Sequence, residues 1–157
     1  MVNSKRVFFI IAAVILIFTV GCKNQNEVQI EKFLNEYYSY IGEVDESNIY
    51  EYARNELDYG DKSKLKKYLD KKTVELLITD RQYLNPIYNK LGIEKYELKI
   101  DSITKYEDSY RVKYILTFPG RDDLIEEHEI RLAIEDENII IKSGNLGPTE
   151  TVYNHLK

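Results

Sequence analysis

The chain has 157 residues and a formal net charge of −5, with 27 acidic side chains against 22 lysines and arginines. This acidic balance argues against nucleic acid as a partner, because nucleic-acid binding is driven by clustered lysines and arginines that neutralise phosphates. The chain has one cysteine, which excludes an intramolecular disulfide, so packing of apolar side chains has to stabilise the fold.

The N-terminal residues have the layout of a bacterial lipoprotein signal peptide. Lys5 and Arg6 precede an uncharged run, residues 7–20, which is too short to cross a bilayer because a spanning helix needs about 20 residues. The run leads into the sequence TVGC, which resembles a lipobox, although leucine is commoner at the first of these four positions. The resemblance implies that its last residue, Cys22, receives a diacylglycerol and becomes the first residue of the mature chain.

Cleavage before Cys22 would divide the chain into three parts. Residues 1–21 are the signal peptide that is removed, residues 22–26 are the lipidated anchor and a short linker, and residues 27–157 form a single α+β domain. Cleavage removes two basic residues and no acidic one, so the mature chain is more acidic than the whole chain. An acidic chain is not attracted to anionic lipid, so the acyl chains alone have to hold the protein on the membrane.

Apolar side chains recur three and four positions apart in the next part of the chain, which predicts helices. The first helix is predicted to begin at Asn26, as its N-cap, and to end at Gly42. Its apolar face consists of Ile30, Phe33, Leu34, Tyr37 and Ile41.

Shorter helical segments are predicted after Gly42. Asp45 or Ser47 can start a helix that ends near Gly60, and Asp61 can start another that continues to Leu69. Residues 73–84 are apolar but irregular. The sequence NPIYNKLG then predicts a short helical turn, with the first asparagine as N-cap, proline at the first helical position and glycine beyond the end.

After residue 92 the apolar pattern changes from helical spacing to alternation. Residues 110–118 alternate most regularly and predict a strand with one buried face. Turn sequences, PGRDD and EDEN, separate this strand from two others. In the preceding segment the apolar positions switch from even to odd numbers, which predicts a bulge near Asp101 and Ser102. The tail from residue 149 onward is predicted to close over its own domain.

Helices followed by strands of this kind predict an α+β fold, in which N-terminal helices pack on a bent antiparallel β-sheet. The order of elements over residues 27–144 is similar to that of the nuclear-transport-factor-like family, whose domains are cone-shaped. The similarity lies in the element order and the bent first strand, and not in a sequence motif. Some members of that family use the enclosed pocket for catalysis and others for binding or assembly, so the fold does not by itself predict the chemistry.

Candidate site residues are few. The isomerase and dehydratase members of the family imply Asp101 and His128 as weak candidates for a catalytic base. Asp101 is interpreted instead as a surface carboxylate of the bulge, and His128, with Glu126 beside it on the same face, also fits a strand end that leaves the core. If a pocket exists, Tyr96, Tyr114 and His128 are expected at its polar end, because they share parity with the apolar faces of their strands.

The sequence predicts no metal site and no cofactor. The two histidines, His128 and His155, have no cysteine partner in the mature chain with which to form a structural zinc site. The chain contains no glycine-rich phosphate loop, and its acidic groups, DEN and EEHE, lack the alternating ligand positions of a calcium loop.

These observations predict a non-enzymatic lipoprotein on the extracytoplasmic face of the cell membrane, attached through lipid at Cys22. Its expected partner is an envelope protein or a small ligand. The alternative is a small pocket enzyme that performs isomerase-type or dehydratase-type proton transfer. The two hypotheses differ in one observable feature, because an enzyme needs titratable side chains that converge in a pocket and have shifted pKa values.

Overall fold

The computed structural model of the protein describes residues 24–156, so Cys22 and the predicted signal peptide lie outside the described residues. Within this range the chain forms five α-helices and four β-strands. The helices are α1 (Gln25–Tyr38), α2 (Ile49–Leu57), α3 (Lys71–Thr79), α4 (Ile87–Lys90) and α5 (Glu150–Asn154), with a 3₁₀ turn at Leu65–Lys67 between α2 and α3. The strands are β1 (Glu97–Lys105), β2 (Tyr110–Thr117), β3 (Ile125–Glu135) and β4 (Asn138–Ser143).

The four strands form one open antiparallel sheet in the order β1-β2-β3-β4. The pairing of β1 with β2 shifts by one residue between Ile100 and Ser102, which leaves Asp101 as the extra residue of a bulge. The bulge predicted from the change of parity is therefore confirmed. Such a bulge bends the strand and strengthens its twist.

One face of the sheet is buried under the helices. On β2, Val112 and Tyr114 are buried, whereas Arg111 and Lys113 on the opposite face are exposed. The apolar face of α1 supplies side chains that are completely buried, among them Phe33. Helices and strands share one contiguous apolar core, because a sheet with one apolar face has to be covered and the helical faces are the apolar surfaces available. The predicted α+β architecture is thus confirmed at the level of helices on an open antiparallel sheet.

The helix boundaries differ from the predicted ones at several points. Asn24 caps α1, since its side-chain oxygen accepts the backbone N–H of Asn26 at 3.2 Å, so the prediction of Asn26 as N-cap was wrong. The Asn26 side chain instead donates to the Tyr110 hydroxyl at 2.8 Å and joins α1 to β2. The helix predicted from Asp61 to Leu69 is only a 3₁₀ turn.

The irregular apolar segment that follows contains a helix, α3, that the sequence pattern did not predict. Asp70 is its N-cap, and the Asp70 carboxylate accepts both the backbone N–H and the hydroxyl of Thr73. The hydrogen bonds from Thr73 lower the pKa of Asp70 below its ordinary value.

Gly42 sits where the chain leaves α1 and passes close to the segment before β1. Its φ is +86°, and a Cβ at this position would lie 2.0 Å from the carbonyl oxygen of Glu94. Gly92 also has a positive φ, +69°, but a Cβ there would meet nothing within 4 Å. Backbone conformation favours glycine at both positions, and steric exclusion requires it only at Gly42.

The C-terminal segment folds back over the domain, as predicted. Leu146 is buried in the loop after β4, and Val152 on α5 is completely buried. No helix within residues 24–156 combines the length and the apolar character needed to cross a membrane.

Candidate functional site

Two of the three side chains predicted for the polar end of a pocket are in contact. Tyr114 on β2 pairs with His128 on β3, and their rings are stacked with centroids 4.9 Å apart and planes 4° from parallel. Tyr96 lies just before β1, and its hydroxyl donates to the backbone oxygen of Asn35 at 2.8 Å. Asp101 is exposed in the bulge of β1. The structure therefore brings Tyr114 and His128 together and leaves Tyr96 and Asp101 outside their contact.

Glu126 is the charged centre of the polar groups around this pair. It lies on the same face of β3 as His128 and is completely buried, so the interpretation of this strand end as leaving the core was wrong. Its carboxylate accepts the hydroxyl of Tyr88 at 2.6 Å and the backbone N–H of Thr149 at 2.5 Å. Tyr88 belongs to α4 and Thr149 precedes α5, so Glu126 joins two helices to the sheet.

Burial and the neighbouring polar groups shift the pKa of Glu126 in opposite directions. Burial raises the pKa of its carboxyl group, because a low-dielectric interior disfavours the charged form. The His128 ring, whose Nε2 lies 4.0 Å from the carboxylate, and the hydrogen bonds from the Tyr88 hydroxyl and the Thr149 amide lower the pKa by more, so the net pKa lies below its ordinary value. Glu126 is therefore ionised at neutral pH.

The imidazole of His128 is held by the loop that follows β4. Its Nδ1 lies 3.2 Å from the backbone oxygen of Asn145, where it can donate as an N–H. Its Nε2 lies 4.0 Å from the Glu126 carboxylate and has no hydrogen-bond partner among the described residues.

Tyr38 of α1 completes the group, which we call the buried polar cluster and define as Tyr38, Tyr88, Tyr114, Glu126 and His128. The Tyr38 hydroxyl donates to the backbone oxygen of Leu146 at 2.8 Å and lies 2.8 Å from the Tyr114 hydroxyl. Burial raises the pKa of the Tyr38 and Tyr114 hydroxyls, so both stay protonated at neutral pH. They can donate hydrogen bonds but do not act as bases.

The buried polar cluster is enclosed. Its five members are each 6% exposed or less. None of the five lines any of three surface cavities, of about 650, 480 and 390 Å³, within residues 24–156. Their polar atoms therefore face one another and the backbone, and the cluster joins α1, α4, the sheet and the C-terminal segment.

The largest of these cavities, about 650 Å³, is a groove on the surface, and we call it the surface groove. It lies between α2, the end of α3, the loop that leads into α4, and α5. Its apolar and aromatic lining consists of Ile49, Ala53, Ile78, Tyr83, Leu84, Pro86 and Ile87. Its exposed rim consists of Tyr50, Tyr153 and Leu156, and its polar groups are Glu46, Arg81, Asn85 and Lys90.

The rim of the surface groove consists of large aromatic and apolar side chains that are exposed to solvent. Tyr50 is 85% exposed, Leu156 is 46% exposed and Tyr153 is 44% exposed. Three of the six large hydrophobic side chains that are exposed in the described part of the chain therefore belong to this groove. Contiguous exposed apolar side chains with polar groups at their edge are typical of a binding surface.

One wall of the groove is a backbone turn in an unfavourable conformation. Arg81 has φ +55° and Leu84 has φ +59°, values that non-glycine residues seldom adopt. The core fixes the turn, since the Tyr37 hydroxyl donates to the backbone oxygen of Gln82. Asn85 supports it further by donating to the backbone oxygen of Arg81 at 3.2 Å. Arg81 thus projects from a rigid turn.

Two of the three charged side chains of the groove form an ion pair with each other, and the third does not form one within the described part of the chain. Lys90 forms an ion pair with Glu46 at 2.7 Å. Arg81 is exposed and has no carboxylate partner within residues 24–156. The groove therefore carries one uncompensated positive charge in a chain with more acidic than basic residues.

Sequence reasoning did not identify the groove, because it is assembled from segments far apart in the chain. Metal binding has no evident site, since no three His, Cys, Asp or Glu side chains in the described part are grouped so that they could hold an ion.

No protein-family model matches the chain, no curated protein sequence matches it, and no solved structure matches it significantly. Function therefore has to be inferred from the geometry of the buried polar cluster and the surface groove.

Proposed function

We propose that the protein is a non-enzymatic lipoprotein, anchored through lipid at Cys22 on the extracytoplasmic face of the membrane, that binds a segment of an envelope protein in its surface groove. The observation that carries this proposal is the contrast in exposure between the two sites. The titratable groups that could perform chemistry are enclosed, whereas the groove is open and apolar.

The alternative is a small pocket enzyme, which needs titratable side chains that converge and a base that can reach the substrate. The structure supplies only the first of these. Titratable side chains do converge, since Glu126, His128 and Tyr114 are in one cluster. A general base also has to reach the proton that it abstracts and works best with a pKa near the working pH. Glu126 is completely buried beneath its own donors and its pKa is lowered, so it is a weak base that is closed off from solvent.

The shape of the surface groove favours a protein segment over a small molecule. Pockets for small ligands commonly have volumes of about 300–1,000 Å³ and bury some 70–90% of the ligand surface. The groove has a suitable volume, but the high exposure of Tyr50 and of Arg81 shows that its rim is open to solvent. An occupant would keep one side in water, as a segment of a larger protein does. Tyrosine is also enriched among residues that dominate binding energy at protein interfaces.

The spacing between the predicted anchor and the folded part supports a site close to the membrane. Asn24, the cap of α1, is only two residues after Cys22, and two extended residues span at most about 7 Å. Lipidation at Cys22 would therefore hold the domain against the bilayer, where membrane-bound partners are concentrated.

The element order and the bulge at Asp101 also support assignment of the domain to the cone-shaped, nuclear-transport-factor-like architecture. In such a domain the helices and the concave sheet face enclose the interior. Here that interior is filled by aromatic side chains and the buried polar cluster. Because the interior is filled, the proposed binding site lies on the outside of the domain.

Site-specific photo-crosslinking in intact cells tests the proposal. A photoreactive phenylalanine analogue replaces Tyr50 in the groove, and a control carries the same analogue in place of Tyr106, which is 46% exposed and lies outside the groove. We expect a discrete crosslinked envelope protein from the position of Tyr50 and not from that of Tyr106.

The captured protein is then purified and its binding to the full chain is measured. Replacement of Ala53 by Trp should block the groove and weaken this binding by at least about tenfold, because the indole would fill space that the partner needs. Crosslinks of equal yield from both positions, or binding that is unchanged by Ala53→Trp in a chain that unfolds at the wild-type temperature, would contradict the proposal.

A further inference from the structure

We propose that the segment bound in the surface groove carries an acidic side chain that pairs with Arg81, next to apolar side chains that enter the groove. This inference rests on the function proposed above and specifies the chemistry of the partner. It assigns Arg81 as the residue that selects the charge of the partner.

The first support is the charge of the groove. Its lining contains Glu46, Arg81 and Lys90. Lys90 pairs with Glu46 at 2.7 Å, so Arg81 is the one charged side chain of this lining without an ion-pair partner among residues 24–156. The chain as a whole is acidic. An acidic partner would therefore be repelled by the net charge of the chain and attracted by Arg81 at this groove, and such complementarity steers encounter and fixes register.

The second support is the way in which Arg81 is held. Its backbone has φ +55°, and Asn85 donates to its carbonyl oxygen at 3.2 Å. The next residue, Gln82, is fixed from both sides, since its backbone oxygen accepts the Tyr37 hydroxyl and its side-chain oxygen accepts the Leu146 amide at 3.4 Å. A guanidinium on a rigid turn loses less conformational entropy when it binds a carboxylate, with which it can form two parallel hydrogen bonds.

The third support is the neighbourhood of the guanidinium. Leu84 and Ile78 line the same groove and are buried or half-buried, so an occupant meets apolar surface beside the charge. Partial exclusion of water by that occupant would strengthen the ion pair relative to a fully exposed one. The expected partner sequence is therefore an Asp or Glu flanked by large apolar residues.

Selection of displayed peptides tests the inference. The full chain is reconstituted in lipid nanodiscs, and a library of random dodecapeptides is selected on the wild type, on Arg81→Glu and on Arg54→Glu. Arg54 is an exposed arginine of α2 that does not line the groove, so it controls for the change in net charge. Thermal unfolding of each variant shows whether it is folded.

We expect wild-type binders to contain an acidic residue next to apolar residues, and binders of Arg81→Glu to contain a basic residue at that position. Arg54→Glu should select the same peptides as the wild type. For one wild-type binder, Arg81→Gln should weaken binding by about five- to tenfold, and replacement of its acidic residue by the amide should cause a similar loss that is not additive with the first.

The possible failures are distinguishable. Peptides that need the groove, as shown by loss of binding in Ala53→Trp, but have no charge preference would overturn the role of Arg81 and leave the binding function intact. Peptides that are insensitive to Ala53→Trp, or an absence of binders, would overturn both proposals. Saturable uptake of dodecanoate without peptide binding would identify the groove as a lipid site, and groove-dependent self-association would identify a second copy as the occupant; either result overturns the acidic peptide partner.

Discussion

The substitution Glu126→Gln is expected to destabilise the fold strongly although it removes no atoms from the core. The carboxylate accepts the Tyr88 hydroxyl with one oxygen and the Thr149 amide with the other. A glutamine keeps one acceptor and turns an NH₂ group toward the second donor. A hydrogen bond to a charged group is worth about 1.5–3 kcal/mol, and a buried donor without an acceptor costs about 1–3 kcal/mol. Relief of the carboxylate's desolvation offsets part of this loss, so we expect a net destabilisation of about 2–4 kcal/mol.

Urea-induced unfolding measures the expected loss, which corresponds to a fall of roughly 10 °C in the unfolding temperature for a domain of this size. The matched control is Glu127→Gln, the same chemical change at the next residue of β3, which is exposed on the opposite face of the sheet. It should change the free energy of unfolding by no more than about 0.5 kcal/mol. Equal stability of Glu126→Gln and Glu127→Gln at neutral pH would refute the role assigned to the buried carboxylate.

The pH dependence of the difference gives a second check. Because the pKa of Glu126 in the folded chain is lowered from its ordinary value of 4.5, the ionised group contributes stability above the unfolded pKa. That contribution is lost as the pH falls through the folded pKa. The stability difference between wild type and Glu126→Gln should therefore be constant above about pH 5.5 and become smaller below pH 4.5. A difference that grows on acidification would show that the group is not held in its ionised form.

Three further predictions test other parts of the structure. Gly42→Ala should cost more than about 3 kcal/mol in urea unfolding because its Cβ would collide with backbone, whereas Gly92→Ala, with the same sign of φ and open space, should cost about 1 kcal/mol. Tyr38→Phe should cost about 1–3 kcal/mol through its two lost hydrogen bonds, and Tyr50→Phe, at a position that is 85% exposed, less than about 0.5 kcal/mol. Cys22→Ser should abolish labelling of the protein by a palmitate analogue in cells, and label that survives would contradict lipidation at that residue.

The strands could be predicted more accurately than the helices, and the reason is physical. A strand with one buried face repeats every two residues, so residues 110–118 and the parity change around Asp101 define both a face and a bulge. Helix ends depend on which of several polar residues caps them, and both Asn24 and Asn26 are chemically suitable. In the structure Asn24 is the cap, and the Asn26 side chain contacts Tyr110 instead.

The candidate site could be predicted only in part. Strand parity placed Tyr114 and His128 on the buried face, and the register of β2 with β3 makes them neighbours. Glu126 has the same parity as His128, which was the available signal for its burial. Its partners, Tyr88 and Thr149, lie 38 residues before it and 23 residues after it, and no local pattern specifies such contacts. The surface groove was missed for the same reason.

The buried polar cluster and the surface groove are structurally linked through the C-terminal segment. A buried ionised group seldom adds stability beyond that of a well-packed apolar residue. A buried carboxylate is, however, stable only in arrangements in which its oxygens accept hydrogen bonds. Glu126 accepts the backbone N–H of Thr149, which stands at the N-cap position of α5, and α5 places Tyr153 on the rim of the groove. His128 contacts the preceding loop through the backbone of Asn145. An apolar side chain in place of Glu126 would fill the same space without specifying where the C-terminal segment lies. We infer that the carboxylate fixes the position of that segment, and with it the shape of the groove that a partner would recognise.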